Sequence, residues 1–138
     1  MKIQNFNISL ISNYDKKLFN INKKFFKLFV NNKEEFSNPK IKIILIKKKS
    51  NLGFIFKFHF IGSIKLICDI SSKKFLFIIN ENKNLNIIFD KYLDLNNDKY
   101  IILPFNYRII NISQFIYDSI MLMLPLKKID PTIKYNYN

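Results

Sequence analysis

His59 and Cys68 are the two side chains best suited to proton transfer, nucleophilic attack or soft-metal binding, and each type occurs once in the 138 residues. A closed zinc site needs four ligands, so one His and one Cys do not make one within this chain. The two glycines, Gly53 and Gly62, cannot form a Gly-rich phosphate loop. Asp90, Asp94 and Asp98 recur at a spacing of four, which matches no calcium loop. His59 shares strand parity with Lys57 and has no carboxylate partner in its own segment, as suits a surface histidine. Cys68 falls on an apolar parity, where a thiol stays protonated and inert. No catalytic residue, metal or cofactor is therefore expected, and a hydrolase or transferase is not.

The remaining chemistry is that of lysine. Asp and Glu total 10 against 23 basic residues, of which Arg108 is the one arginine, and the net charge is +13. Lys47, Lys48 and Lys49 lead into a loop at a strand end, and Lys73-Lys74, Lys127-Lys128 and the group Lys23, Lys24 and Lys27 form further clusters. Loops projecting from a rigid sheet suit phosphate contacts, so Lys47, Lys48, Lys49, Lys65, Lys73 and Lys74 are candidate contacts for RNA or a partner. The same lysines also serve to blunt strand edges and keep an apolar chain in solution. Composition weakens the case for a polyanion further. Ile, Lys, Asn, Phe and Tyr dominate while Ala and Trp are missing, as in a chain encoded by an A/T-rich genome. Lysine also lacks the planar fork with which arginine reads bases.

Periodicity shows which elements must position these groups. From Phe54 to Ile70, even positions read Phe54, Phe56, Phe58, Phe60, Gly62, Ile64, Leu66, Cys68 and Ile70. Odd positions include Lys57, His59, Ser63, Lys65 and Asp69, so this is a strand with one buried face. A hairpin turn at Gly62-Ser63 would pair Phe60 with Lys65 and Phe56 with Asp69, mixing both faces. One long strand, bent or bulged at Gly62, keeps every even residue inside. Further strands are predicted over Lys40–Lys47, Lys74–Ile79, Leu85–Phe89 and Tyr100–Leu103. Turn chemistry marks Ser50–Gly53, Asn80–Asn84 and Asp94–Asp98 as linkers.

A helix is predicted over Ile112–Leu124, where Ile112, Phe115, Ile116, Ile120 and Met123 form one stripe. Asn111 and Gln114 suit a capping box at its start, and Pro125 stops it. A shorter helix over Asn22–Val30 would place Phe25, Phe26 and Phe29 opposite Lys23, Lys24 and Lys27. The expectation is one α+β domain over residues 1–130, a mostly antiparallel sheet with a long bent central strand. The C-terminal helix and a short N-terminal helix pack on it, and residues 131–138 form a frayed tail. No apolar run approaches the roughly 18 residues of a membrane span, and Met1–Asn5 carries no secretory pattern. A single cysteine suits a reducing compartment.

Three segments in order resemble a known family. Phe58 to Asp69 is similar to a strand reading hydrophobic, x, Gly, x, Val, x, Val or Leu, x, Cys-Asp-Arg-Cys, with Gly62, Cys68 and Asp69 at the matching positions. Ile112 to Leu126 is similar to a helix that carries Tyr117 and an apolar run ending at Leu124-Pro125. Phe25-Phe26 resembles a Phe-Phe pair near the N-terminus. The family is the YceD-like large ribosomal RNA subunit accumulation proteins, in its Bacteroidetes-type branch. The resemblance implies a cytoplasmic, non-enzymatic factor supporting synthesis, processing or stability of 23S rRNA during large-subunit assembly. Its partners would be 23S rRNA, the pre-ribosomal large subunit or a large-subunit ribosomal protein, and no membrane. The family's arginine aligns with Ile70, its second cysteine with Ser71 and its histidine after Leu-Pro with Asp130. Metal or redox chemistry through those positions is thus not expected here. The alternative reading is a protein–protein adaptor that uses a sheet edge or helix face, with the lysines serving only solubility.

Overall fold

A computed structural model describes residues 5–27, 29, 37–89, 100–125 and 127–131. The strong period-2 segment becomes the centre of the molecule. Strands β1 (Asn7–Ser9), β2 (Tyr14–Ile21), β3 (Ser37–Lys49), β4 (Gly53–Ile67), β5 (Lys74–Phe89), β6 (Tyr100–Leu103) and β7 (Ile109–Asn111) accompany helices α1 (Lys23–Phe26) and α2 (Ser113–Met123). The main sheet has five strands in the order β2-β3-β4-β5-β6, and β1 pairs with β7 in a second, two-stranded sheet. All neighbours are antiparallel except β5 and β6, so the expected α+β, mostly antiparallel architecture is present. Among the described residues no helix is long and apolar enough to cross a membrane.

β4 runs through Gly62 without turning back, and its register against β5 is unbroken from Gly53–Ile88 to Ile67–Lys74. A Cβ at Gly62 would lie 2.0 Å from the Lys40 carbonyl oxygen, so the missing side chain is what lets β3 and β4 approach. The register irregularity lies in β3 between Ser37 and Lys40, where Asn38 takes a positive φ of 51°. The expected strand end at Ile70 moves back to Ile67, and Cys68-Asp69 enters the hairpin loop before β5.

Asn80–Asn84, expected as a linker, instead forms the middle of β5, which is continuous over 16 residues. Each of these asparagines pairs with a β4 residue between Lys57 and Ile61. A long neighbouring strand thereby satisfies their backbone groups and outweighs the local turn preference of asparagine. Strand β3 extends beyond the expected Lys40–Lys47 at both ends, and α1 is confined to Lys23–Phe26, capped by the Asn22 side chain accepting from Lys24 N at 3.0 Å. Leu28 and Val30, within the expected first helix, lie outside the described residues, as does the tail from Thr132.

The registers sort side chains by face. Phe54, Phe56, Phe58, Phe60, Ile64 and Leu66 of β4 are buried with Ile41, Ile43 and Leu45 of β3, Phe19 and Ile21 of β2, and Ile79 and Ile87 of β5. Ile112, Ile116 and Ile120 along α2, Phe25 and Phe26 of α1, and Phe6, Ile8 and Leu10 around β1 complete the same core. Phe115 of α2 meets Phe58 at a centroid distance of 4.9 Å, and Phe6 stacks on Phe19 at 5.1 Å. The cover lies on one side of the sheet, as antiparallel sheets allow.

Candidate nucleic-acid interface and the Cys68 hairpin

Of the six candidate lysines, Lys47 is not on the surface. Strand β3 extends to Lys49, so its side chains alternate, and Lys47 shares parity with buried Ile41, Ile43 and Leu45. It is 0 % exposed; its Nζ donates to the Ser9 carbonyl and to Ser12 Oγ at 2.8 Å, and lies 5.3 Å from the centroid of the Phe54 ring. Burial pushes the ammonium below the usual lysine value, with Asp15 acting the other way and Lys17 adding to the depression. Lys47 therefore ties the chain between β1 and β2 to the sheet and is withdrawn from the candidate contacts. The parity rule that located the β4 core, applied to Lys40–Lys49, contains this information.

Lys48 and Lys49 are exposed at the end of β3, on opposite parities. Lys65, Lys73 and Lys74 are exposed near the other end of β4, where Lys74 pairs with Ile67 and Lys65 with Leu76. Lys48 pairs with Ile55, so ten residues of β4, about 33 Å at strand rise, separate the two groups. They do not form one loop cluster. His59 shares the exposed parity with Lys57, and its Nε2 lies 2.7 Å from Asn80 Oδ1, an amide and not a carboxylate. Among the described residues no three of His, Cys, Asp and Glu converge as metal ligands.

Two of the motif positions, Cys68 and Asp69, form a hairpin that residues 128 and 130 approach. Cys68 N donates to the Lys73 carbonyl at 2.8 Å and Ser72 N to the Cys68 carbonyl at 3.0 Å, with Ser72 at φ 58° closing the turn. Asp69 N donates to the Lys128 carbonyl at 2.6 Å, while Asp69 Oδ2 accepts from Lys128 N at 2.9 Å. Asp130 N points at Cys68 Sγ, 3.5 Å away. Cys68 is buried as its parity predicts, yet its thiol is not an ordinary one. Hydrogen bonds from the Ser71 side chain and then the Ser71 backbone outweigh burial and, with smaller help from Asp130 and Ile70, lower its pKa to about 7. The side chain is 1 % exposed, so the expected core placement of Cys68 holds.

α2 delivers the other half of the arrangement. The N-cap position is Ile112, which makes no side-chain cap bond, and Asn111, expected as the cap, lies one residue earlier, where its Oδ1 accepts from Ser113 N at 3.0 Å. Gln114 departs from the capping box and donates to Asp118 Oδ1 at 2.8 Å. The helix ends at Met123; Leu124 is extended at φ −72° and ψ 139°, the conformation favoured before Pro125. That exit sends residues 127–130 to the Cys68 hairpin. Tyr117 stacks on Phe29 at 4.0 Å and meets Phe26 edge-on at 6.3 Å, which joins the N-terminal Phe-Phe segment to the same helix.

No family model, curated protein or solved structure matches the chain.

Proposed function

We propose that this protein is a non-enzymatic, cytoplasmic factor in biogenesis of the large ribosomal subunit that supports accumulation of 23S rRNA. One observation carries the reading: the segments that resemble the YceD-like family are far apart in the chain and adjacent in the fold. Positions 71 and 130, where the resemblance places a cysteine and a histidine, both lie against the sulfur of Cys68, and position 130 comes from a distant segment. Gly62, the motif glycine, is the residue whose missing Cβ permits the β3–β4 contact. Tyr117 joins Phe26 to the helix that precedes Leu124-Pro125. The departures at Ile70, Ser71 and Asp130 put the role in the surface and fold of the domain, not in metal or redox chemistry.

The test is depletion in the native cell followed by gradient sedimentation and rRNA quantification. The proposal expects fewer mature large-subunit particles and a fall in 23S relative to 16S rRNA; unchanged profiles would remove it. The adaptor reading draws on the exposed apolar residues Ile61, Ile67, Leu76 and Ile78 of β4 and β5. Salt separates the two, because phosphate binding weakens steeply with ionic strength whereas apolar docking hardly responds.

A further inference from the structure

The face of the main sheet opposite the core is open among the described residues, and its charge is of one sign. Pairing registers put Lys48, Lys65 and Lys74 on that face, joined by Lys16 of β2, Lys40 and Lys42 of β3 and Lys57 of β4; all are exposed. None of the five described carboxylates shares it. Asp15 pairs with Lys47 and Glu81 with Phe60, both on the core parity, while Asp69 and Asp130 lie at the Cys68 hairpin and Asp118 on α2. An A/T-rich coding bias multiplies lysine throughout a chain, but it does not clear acids from one face.

On this face the central strands β3 and β4 carry Ile44, Ile46, Ile55 and Ile61 between their lysines, and β5 beside them adds a row of amides. Asn80, Asn82, Asn84 and Asn86 follow one another on the open parity of β5, opposite Ile61, His59, Lys57 and Ile55. Each amide supplies two donors and an acceptor, a chemistry suited to phosphate oxygens and ribose hydroxyls and of little use against acyl chains. Stacking on splayed bases requires aromatic side chains, and the described aromatic rings on this face are Tyr14, at the far end of edge strand β2, and His59, half-buried with its Nε2 2.7 Å from Asn80 Oδ1.

We infer that the lysine and asparagine face of the five-stranded sheet docks helical RNA without sequence preference, its lysines meeting phosphates and its asparagines the ribose and phosphate oxygens of a wide, shallow groove. The inference rests on the ribosome-biogenesis reading and names its contact surface, moving it from the lysine loops to the sheet.

The test is fluorescence anisotropy of the full chain with a labelled 20-base-pair RNA duplex and with one of its strands alone, over a salt series. The face variant combines Lys42→Gln, Lys57→Gln and Lys65→Gln. The control variant removes the same charge elsewhere, through Lys27→Gln, Lys83→Gln and Lys127→Gln. Circular dichroism checks folding, and Lys→Arg at the three face positions should bind as wild type. The expected result is tighter binding of the duplex and at least a tenfold loss in the face variant. Its log–log salt slope should be shallower by up to about 2.7, at about 0.9 per lost phosphate contact. The control should stay within twofold of wild type. Equal losses in both variants, a preference for the single strand, or binding to phosphatidylglycerol vesicles in place of RNA would overturn the inference. Absence of RNA binding combined with a depletion phenotype removes this surface and leaves the biogenesis reading. Face-dependent duplex binding without a depletion phenotype does the reverse.

Discussion

Replacing Gly62 by alanine tests both the sheet and the motif, because one added methyl group meets backbone on every near side. The new Cβ would lie 2.0 Å from the Lys40 carbonyl oxygen, 2.7 Å from Ile41 Cα and 2.9 Å from the Lys40 carbonyl carbon. Relief requires β3 and β4 to separate by more than 1 Å where they are also tied to β2 and β5. The Gly62 φ of +157° adds strain for any L side chain. Overpacking costs about 1–3 kcal/mol, and loosening one or two backbone hydrogen bonds adds about 0.5–1.5 kcal/mol each, so the total is about 2–5 kcal/mol. That is a large share of the roughly 5–15 kcal/mol by which domains of this kind are stable. In urea, with a slope of about 1–3 kcal/mol/M, the midpoint should fall by about 1 M or more. Ser63→Ala, one residue away and without such a contact, should stay within about 0.5 kcal/mol. A Gly62→Ala midpoint equal to that of Ser63→Ala would refute the close approach and the register on which the sheet assignment rests.

The lysine run offers a paired contrast: Lys47→Ala should cost about 2–4 kcal/mol in chemical denaturation, from lost stem packing and orphaned partners at Ser9 and Ser12, and Lys48→Ala less than about 0.5 kcal/mol. Equal effects would contradict the burial of Lys47. Thiolate absorbance should titrate Cys68 near pH 7 in the wild type, and Ser71→Ala should move the midpoint upward. A thiol whose folded pKa lies below its unfolded value of about 8.5 lets the unfolded chain hold more protons between those values. The thermal midpoint should therefore rise from pH about 7 to about 9 in the wild type and stay flatter in Cys68→Ala; identical pH profiles would contradict the assignment. Asp69→Ala should cost about 1 kcal/mol and speed tryptic cleavage at Lys127 and Lys128, since it removes the anchor on Lys128 N; unchanged cleavage would place that anchor elsewhere.

What the sequence made legible follows from which forces were visible locally. The alternation of β4 and the stripe of α2 are patterns of burial, and both elements form close to their expected limits. β5 was obscured because its central asparagines prefer turns in isolation and become a strand only against the equally long β4. β2 was missed because its core-side row, Asp15, Lys17, Phe19 and Ile21, is apolar only at one end. β1 and β7, at three residues each, carry no period, and they are held by one another and by bonds such as Leu10 N to the Arg108 carbonyl at 2.7 Å. The candidate site shows the same division. The motif residues were visible as uncommon types in a biased chain, whereas the approach of residues 128 and 130 to Cys68-Asp69 depends on where α2 ends. The lysines were grouped by adjacency along the chain, and strand parity regroups them, burying Lys47 and setting Lys48, Lys65 and Lys74 on one face.

The most direct measurement of the central claim is ultraviolet crosslinking of the protein in its native cells, followed by sequencing of the attached RNA and mapping of the crosslinked peptides. 23S rRNA or its precursor should be strongly enriched over 16S rRNA and messenger RNA, with crosslinks on β3, β4 and β5 at the open face. Crosslinks spread in proportion to RNA abundance, or to proteins alone, would contradict it.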